Sequence, residues 1–422
     1  MKKKIWAVLL AGTLSASLFA GCGSSGDTAA DGASDTSETA DASGDGQLDV
    51  VLSLADESDY YIGTMVGATV KTAFEEEGAN VQVLDGANDV QNQVNQIQNA
   101  ITQGADIIYV FTAGNGDVYV DVLNQAKEAG IKTILSGNDP GEGVVDAYIG
   151  ADEFQFGVMM AKMCGDWVNE TYPDAADGEV GILFAEASGN SNMIKRCIGM
   201  RSIEQKFLRE ADMANIGYVV EEGEGSVTYL DENGNEQEVD EPTGGLLLDE
   251  NGYAQLNPYY NSKVRVITYG DRNAAGLDST IAQNAIEDTI TNGETNLCGV
   301  LSYGDTGAAI ETKMREMIDD GRIDKTYDQV ACWCSDLTDT NRDLIMKSVT
   351  GESVLRGVGT SGDAIASVCD VAKKMCEGSS DFEAHFMEPI SYVIANEDGS
   401  DVIETDYSEC TQLPDTSLII PE

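Results

Sequence analysis

The sequence predicts an α/β protein made of two doubly wound parallel-sheet lobes joined by a multi-strand hinge. Two observations carry this. From Leu48 onward, short apolar runs alternate with segments whose apolar residues recur at helical spacing, the pattern of a parallel sheet covered on both faces. Beyond Gly150 the alternation starts afresh, and 422 residues suit two units of ordinary size.

In the first half, Asp49 to Leu54 reads as a buried strand and is followed by a helix from about Ile62 to Glu77. Asn80 to Leu84 is the next strand, and Val90, Val94, Ile97 and Ile101 then fall on one helical face. Asp106 to Phe111 is a third strand; Val122, Leu123 and Ala126 mark a helix that Gly130 closes before the strand Lys132 to Leu135.

The second half repeats this. A helix around Val158 to Val168 leads to the strand Glu179 to Phe184, then a helix near Asn192 to Leu208 and a strand at Tyr218 to Val220. Further strands are expected at Val264 to Thr268, Cys298 to Ser302 and Gln329 to Cys334, with helices carrying Ile281, Ala285, Ile286 and Ile290, and Ala308 to Ile318, between them. Ligands of such sheets bind beyond the carboxyl ends of the strands, so two facing lobes make a cleft.

One segment interrupts the second lobe. Glu221 to Asn261 holds eleven acids and no Lys or Arg, with two Leu-Asp-Glu-Asn-Gly turns at Leu230 to Gly234 and Leu248 to Gly252. Asn-Gly signals hairpins. A calcium loop starting at Asp231 fails on spacing, because Glu236 stands at the glycine position and Pro242 at the bidentate-Glu position.

Composition narrows the function. Against 74 Asp plus Glu stand 24 Lys plus Arg, a formal charge of -50, which repels phosphate backbones and argues against nucleic-acid partners. The same charge disfavours self-association, and a monomer is expected. A single histidine, His385, excludes a multi-His metal site. Cys332-x-Cys334 lacks companion ligands for zinc, and the cysteines at 164, 197, 298, 332, 334, 369, 376 and 410 are expected as small buried hydrophobes. Neither a metal nor another cofactor is expected, and no catalytic constellation is visible.

The N-terminus carries an address. Lys2 to Lys4 precede the apolar stretch Ile5 to Ala20, a signal segment too short to span a membrane stably. Residues 1–21 are expected to be removed, which takes away three lysines and leaves -50 - 3 = -53. Leu18-Phe19-Ala20-Gly21-Cys22 resembles a bacterial lipobox, which implies lipidation at Cys22. Residues 22–47, with six acids after Cys22 and no Lys or Arg, are expected as a flexible acidic tether. An extracytoplasmic, membrane-anchored location follows.

The body, from Leu48 to Tyr392 without the acidic insertion, resembles the type I periplasmic sugar-binding proteins of ABC transporters, the ribose- and galactose-binding group. The resemblance rests on Asp89-Val90-Gln91-Asn92-Gln93-Val94-Asn95-Gln96-Ile97 leading to Thr102-Gln103-Gly104-Ala105-Asp106, on Ala126-Lys127-Glu128-Ala129-Gly130-Ile131, and on Tyr148-Ile149-Gly150-Ala151-Asp152 with Gly157. Arg196-Cys197-Ile198-Gly199-Met200 resembles the family's R-x-x-G-aromatic helix. Related repressors begin with a DNA-binding domain, where this chain has a signal segment. Residues 48–151 plus 359–392 are expected to form lobe 1, and 152–358 plus 393–422 lobe 2, with the insertion at 221–261.

The resemblance implies a ligand site. Tyr60 and Tyr61 stand where the family places aromatic rings to stack on a sugar face; packing at a helix start is the alternative. Arg196 matches an arginine that donates in a fork, and Asp336 a carboxylate that accepts hydroxyl protons, with N-capping as its alternative. Where the family often carries Asp-Arg after the fourth strand, this chain has Gly137-Asn138, which makes Asn138 the candidate there. Where it often carries Asn-Asp, this chain has Gly304-Asp305, and Asp305 is expected as a structural helix-start residue. As lining of an open, hydrated cleft, these groups are expected to leave ligand-free stability unchanged when removed.

Gly357-Val358-Gly359-Thr360-Ser361-Gly362 fits G-x-G-x-x-G, but dinucleotide is scarce outside the cell, and glycines suit a hinge. The expected function is a lipid-anchored solute-binding protein, not an enzyme, that closes on a small polar ligand, a sugar first, and hands it to an ABC permease. A nucleoside- or amino-acid-binding protein of the same fold, a ligand-sensing subunit of a signalling receptor and an extracellular enzyme are the alternatives.

Overall fold

A computed structural model describes residues 46–209, 223, 225–269, 275–362, 364–409 and 413. The signal segment, Cys22, most of the tether, the strand expected at Tyr218 to Val220 and Cys410 lie outside the described residues. All that follows concerns the unit Ser43–Glu422.

Two α/β lobes result. The first sheet takes its strands from β1 (Asp49–Leu54), β2 (Asn80–Asp85), β3 (Ile107–Phe111), β4 (Lys132–Ser136), β5 (Ala147–Ala151) and β13 (His385–Glu388), in the spatial order β13-β5-β4-β3-β1-β2. Every pairing in it is parallel. Helices α1 (Ala68–Glu76) and α9 (Ala364–Cys376) bury Val70, Phe74, Val368 and Ala372 on one face. Helices α2 (Val90–Gln103) and α3 (Val120–Glu128) bury Ile97, Ala100, Val122 and Leu123 on the other.

The glutamines of α2 have a structural purpose. Gln93 is fully buried; its Nε2 donates to the Phe111 carbonyl at 2.9 Å, and its Oε1 accepts from Tyr119 Oη at 2.6 Å and from Ala113 N at 2.8 Å. One amide thereby satisfies the backbone where β3 ends, which an apolar side chain would leave unpaired. The loop that follows β3 is held in place at the lobe edge.

The second sheet is ordered β15-β14-β12-β11-β10-β6-β9. It uses β6 (Val180–Ala185), β9 (Val264–Thr268), β10 (Leu297–Ser302), β11 (Ala331–Ser335) and β12 (Leu355–Ser361) in parallel, with β14 (Ile390–Ala395) and β15 (Val402–Asp406) in antiparallel pairings at one edge. Helices α4 (Glu153–Thr171) and α5 (Ser191–Met200) cover one face; α6 (Ser279–Thr291), α7 (Gly307–Asp319) and α8 (Asp339–Val349) cover the other.

The chain crosses between sheets three times: between β5 and α4, between β12 and α9, and between β13 and β14. The lobe boundaries shift accordingly. Gly359 to Ser361 and Ile390 to Tyr392, assigned above to lobe 1, pair with each other inside the second sheet. The G-x-G-x-x-G glycines are also placed differently from a pure hinge. Gly357 and Gly359 lie within β12, and a Cβ on Gly359 would come 2.7 Å from the Phe156 ring, so this glycine makes room for α4.

The acidic insertion forms the antiparallel hairpin β7 (Thr228–Leu230) and β8 (Glu236–Glu238), with a small core of Phe207, Val239 and Ala254. Asp231 and Asp249 each accept backbone N–H groups of their own turns, from Asn233, Asn235, Asn251 and Tyr253. That is Asx-turn chemistry. Cys164, Cys197, Cys298, Cys332 and Cys334 are buried free thiols, while Cys369 and Cys376 are half-buried.

Candidate functional site

The carboxyl ends of the parallel strands carry the polar loops. Arg196 is positioned by a close helix crossing. Gly157 of α4 and Gly199 of α5 meet there: a Cβ at Gly157 would overlap the Arg196 carbonyl, and one at Gly199 would overlap the Phe154 carbonyl. Backbone-to-backbone approach needs glycine at both places. The R-x-x-G spacing therefore has a physical basis, since Gly199 lets α5 sit low enough for Arg196 to reach across α4.

Arg196 Nε donates to Glu153 Oε2 at 2.6 Å, and Nη1 donates to the Tyr303 carbonyl at 3.1 Å. The guanidinium lies 4.1 Å from the Phe156 ring centroid and 4.5 Å from that of Tyr303, a cation–π sandwich. Its side chain is only 13% exposed. Burial is the largest single influence and would lower the pKa, but Glu153, Tyr303 and Asp336 together outweigh it and the guanidinium stays protonated. Nη2 has no hydrogen-bond partner among the described residues. The expectation of an open, hydrated Arg196 is thus corrected: it is packed and paired, because Glu153 and Phe156 at the start of α4 and Tyr303 after β10 close on it from segments distant from α5 in sequence.

Asp336 follows β11 in the left-handed region, at φ 69°. Its N–H donates to the Gly359 carbonyl at 2.8 Å, and its Oδ2 accepts from Ser335 Oγ at 2.7 Å. It does not cap α8; Thr338 does, accepting from Asn341 N. Aspartate is among the residues that adopt this region most readily, and the two hydrogen bonds hold Asp336 there. Asp305 lies close by. Its Oδ1 accepts from Asn341 Nδ2 at 2.8 Å, and burial, reinforced by the Asp336 carboxylate, raises its pKa above 3.8. Thr306, not Asp305, is the residue at the start of α7, so the helix-start role expected for Asp305 is not the one observed.

Across the cleft, Tyr61 sits in the helical turn Tyr60–Gly67, which Asp59 caps by accepting from Ile62 N. Tyr61 is 48% exposed, and its ring meets Phe111 edge-to-face, with centroids 6.3 Å apart. Tyr60 opens the same turn, and its side chain is outside the description. Asn138 differs from expectation. It is 3% exposed, and its Oδ1 accepts from Ser191 Oγ and Asn192 N of the second lobe. Its amide faces protein, not the cleft interior.

The structure therefore brings Arg196 and Asp336 together on lobe 2 and leaves Tyr61 on lobe 1. Sequence reading missed Glu153, Phe156 and Tyr303, which carry no local motif. It also missed Asn115, Ser191 and Asn192, for which the run Gly189-Asn190-Ser191-Asn192 after a strand was an available signal. Among the described residues, no group of three or more His, Cys, Asp or Glu could hold a metal ion, and no helix is long and apolar enough to cross a membrane.

Residues 50–372 match the family described as periplasmic binding protein domain. The multiple sugar-binding periplasmic receptor ChvE of Rhizobium radiobacter is 33% identical over 107 residues, which are 24% of this chain and 28% of that protein. The D-xylose-binding periplasmic protein of Escherichia coli (strain K12) is 32% identical over 91 residues, 22% of this chain and 27% of that one. The chain thus spans little more than a quarter of the length of these relatives. In fold, the periplasmic binding protein component of the arabinose ABC transporter from Shewanella sp. ANA-3, bound to α- and β-L-arabinofuranose, superposes with a TM-score of 0.52 at 15% identity, covering 84% of this chain and 91% of that one.

Proposed function

Since the chain belongs to the periplasmic binding protein family, whose members bind solutes and do not transform them, we propose that it is a lipid-anchored, extracytoplasmic receptor for a small neutral sugar. It closes two lobes on the sugar and presents the closed form to an ABC permease. The observation that supports this reading is the lobe-2 cluster. The Arg196 guanidinium feels the Asp336 carboxylate, which in turn neighbours Asp305, and a polyhydroxylated ligand can use both signs of partner.

Charge supports a neutral ligand. Arg196 is offset by Glu153, so the carboxylates of Asp305 and Asp336 leave the cluster net acidic and unfavourable to an anion. The exposed face of Tyr61, braced by Phe111, offers an apolar surface for sugar C–H groups. The relatives named above bind sugars by their descriptions, which agrees. A cationic amine held by Asp305 and Asp336 is the second reading.

A thermal-shift screen over pentoses, hexoses in both ring forms, polyols, nucleosides and amino acids tests this, because a ligand that binds only the folded state raises the melting temperature by mass action. A neutral sugar should give the largest shift. A response confined to amines or amino acids would sink the sugar reading.

A further inference from the structure

Four hydrogen bonds cross the cleft directly between lobes. Ser191 N donates to Asn115 Oδ1 at 2.8 Å, and Ser191 Oγ donates to Asn138 Oδ1 at 2.9 Å. Asn192 N donates to the same Asn138 Oδ1 at 3.1 Å, and Asn192 Nδ2 donates to the Gly137 carbonyl at 2.9 Å. Asn115, Gly137 and Asn138 follow β3 and β4 of the first sheet; Ser191 and Asn192 open α5 of the second lobe.

The donors have a particular origin. The first N–H groups of a helix have no partner within it. Asn190 caps α5 by accepting from Met193 N at 3.0 Å, which leaves the N–H groups of Ser191 and Asn192 to point out of the helix. Their acceptors are the side chains of Asn115 and Asn138, on the other lobe. The receiving side is equally prepared. Gly137 takes a φ of 93°, Asn138 N donates to Thr112 Oγ1 at 2.8 Å, and Tyr148 Oη shares the Gly137 carbonyl at 2.9 Å.

We propose that Asn138 is not a ligand contact but the centre of a latch, together with Asn115, Ser191 and Asn192, that holds the two lobes closed. Every atom in these bonds belongs to the protein, so the closed form is favoured before a ligand enters, and the latch sets affinity by adjusting how much of the protein is already closed. This rests on two-lobe closure as proposed above but not on the identity of the ligand. The four bonds break together on opening, because the capped start of α5 moves as a unit.

The test uses the full-length chain without added ligand. Spin labels carried by azide-bearing residues at the exposed positions Asn124 in α3 and Asn284 in α6 report the interlobe distance by pulsed dipolar spectroscopy and leave the native cysteines untouched. The wild type should show a substantial short-distance population. Asn138→Ala removes the acceptor of two bonds and should lower the closed-to-open ratio about tenfold. Asn138→Asp keeps an acceptor for both donors and should stay closed. Ser191→Ala combined with Asn192→Ala, at helix positions where alanine is tolerated, should open the protein from the other side if Asn138→Ala does not fold. A wild type that is wholly open, or latch variants with an unchanged distance distribution, would overturn the proposal. Because no ligand is involved, a failed sugar screen leaves this result standing, and an unchanged distance leaves the sugar reading standing.

Discussion

The guanidinium of Arg196 and the carboxylate of Glu153 meet at 2.6 Å with both side chains nearly buried, at 13% and 12% exposure. A pair in that setting fixes geometry more than it stabilises, since desolvation offsets much of the attraction, yet removing one partner alone is costly. Glu153 holds Nε, the Tyr303 carbonyl holds Nη1 and the two rings sandwich the plane, so the guanidinium is fixed in one orientation.

Arg196→Ala should therefore weaken sugar binding by roughly 1.5–3 kcal/mol if Nη2 makes a charge-assisted hydrogen bond. It should also cost about 3 kcal/mol of ligand-free stability by leaving Glu153 unpaired. Arg196→Met combined with Glu153→Gln should recover most of the stability and none of the affinity. Denaturant unfolding and calorimetry with the screened sugar read the two effects separately; unchanged affinity in both variants would remove Arg196 from the site.

Gly157→Ala and Gly199→Ala each force α4 and α5 apart. Overpacking of this kind costs about 1–3 kcal/mol, and displacement of α5 carries Arg196 away from Glu153. Both variants should melt lower and bind more weakly, whereas alanine at Gly178, which has open space around it but a φ of 68°, should cost stability without touching affinity. Equal affinity across all three would disconnect the helix crossing from the site.

Asp305 gives a pH signature. Its folded pKa is raised above 3.8 by burial and by Asp336, so between 3.8 and the raised value the folded protein holds a proton that the unfolded chain has lost. The contribution to stability is present below 3.8 and is lost as pH rises through the folded value. Asp305→Asn keeps the acceptor for Asn341 and removes this loss. The melting temperature of the variant relative to wild type should rise on going from acid to neutral pH; a parallel offset at all pH values would mean that the carboxyl is not perturbed in this way.

At the N-terminus, Cys22→Ala should abolish anchoring. Intact-mass spectrometry of the mature wild type should find residue 22 first and an acyl mass on it, with the variant lacking that mass. A mature protein that starts elsewhere without acyl chains would end the lipoprotein reading.

Much of the fold was legible because periodicity is a local property. The spacing of Val90, Val94, Ile97 and Ile101 announces α2 before any tertiary contact exists, and the apolar runs of β1, β3 and β6 announce strands buried on both faces. The Arg196-x-x-Gly199 spacing and the position of Asp336 after β11 were likewise readable as candidates, although the buried state of Arg196 was not.

By itself, then, the sequence determined the order and type of most elements between β1 and β11 and the acidic composition, since each follows from residues within about one helix or strand of one another. Only the tertiary structure decided which strand ends face each other. Asn138 and Ser191 are 53 residues apart, and Arg196 and Tyr303 are 107 apart. Such pairs have no period and no fixed spacing. Their meeting depends on how two independently packed sheets are joined by three crossings, and that turns Asn138 from a ligand candidate into an interlobe bond and Arg196 from an open charge into a sandwiched one.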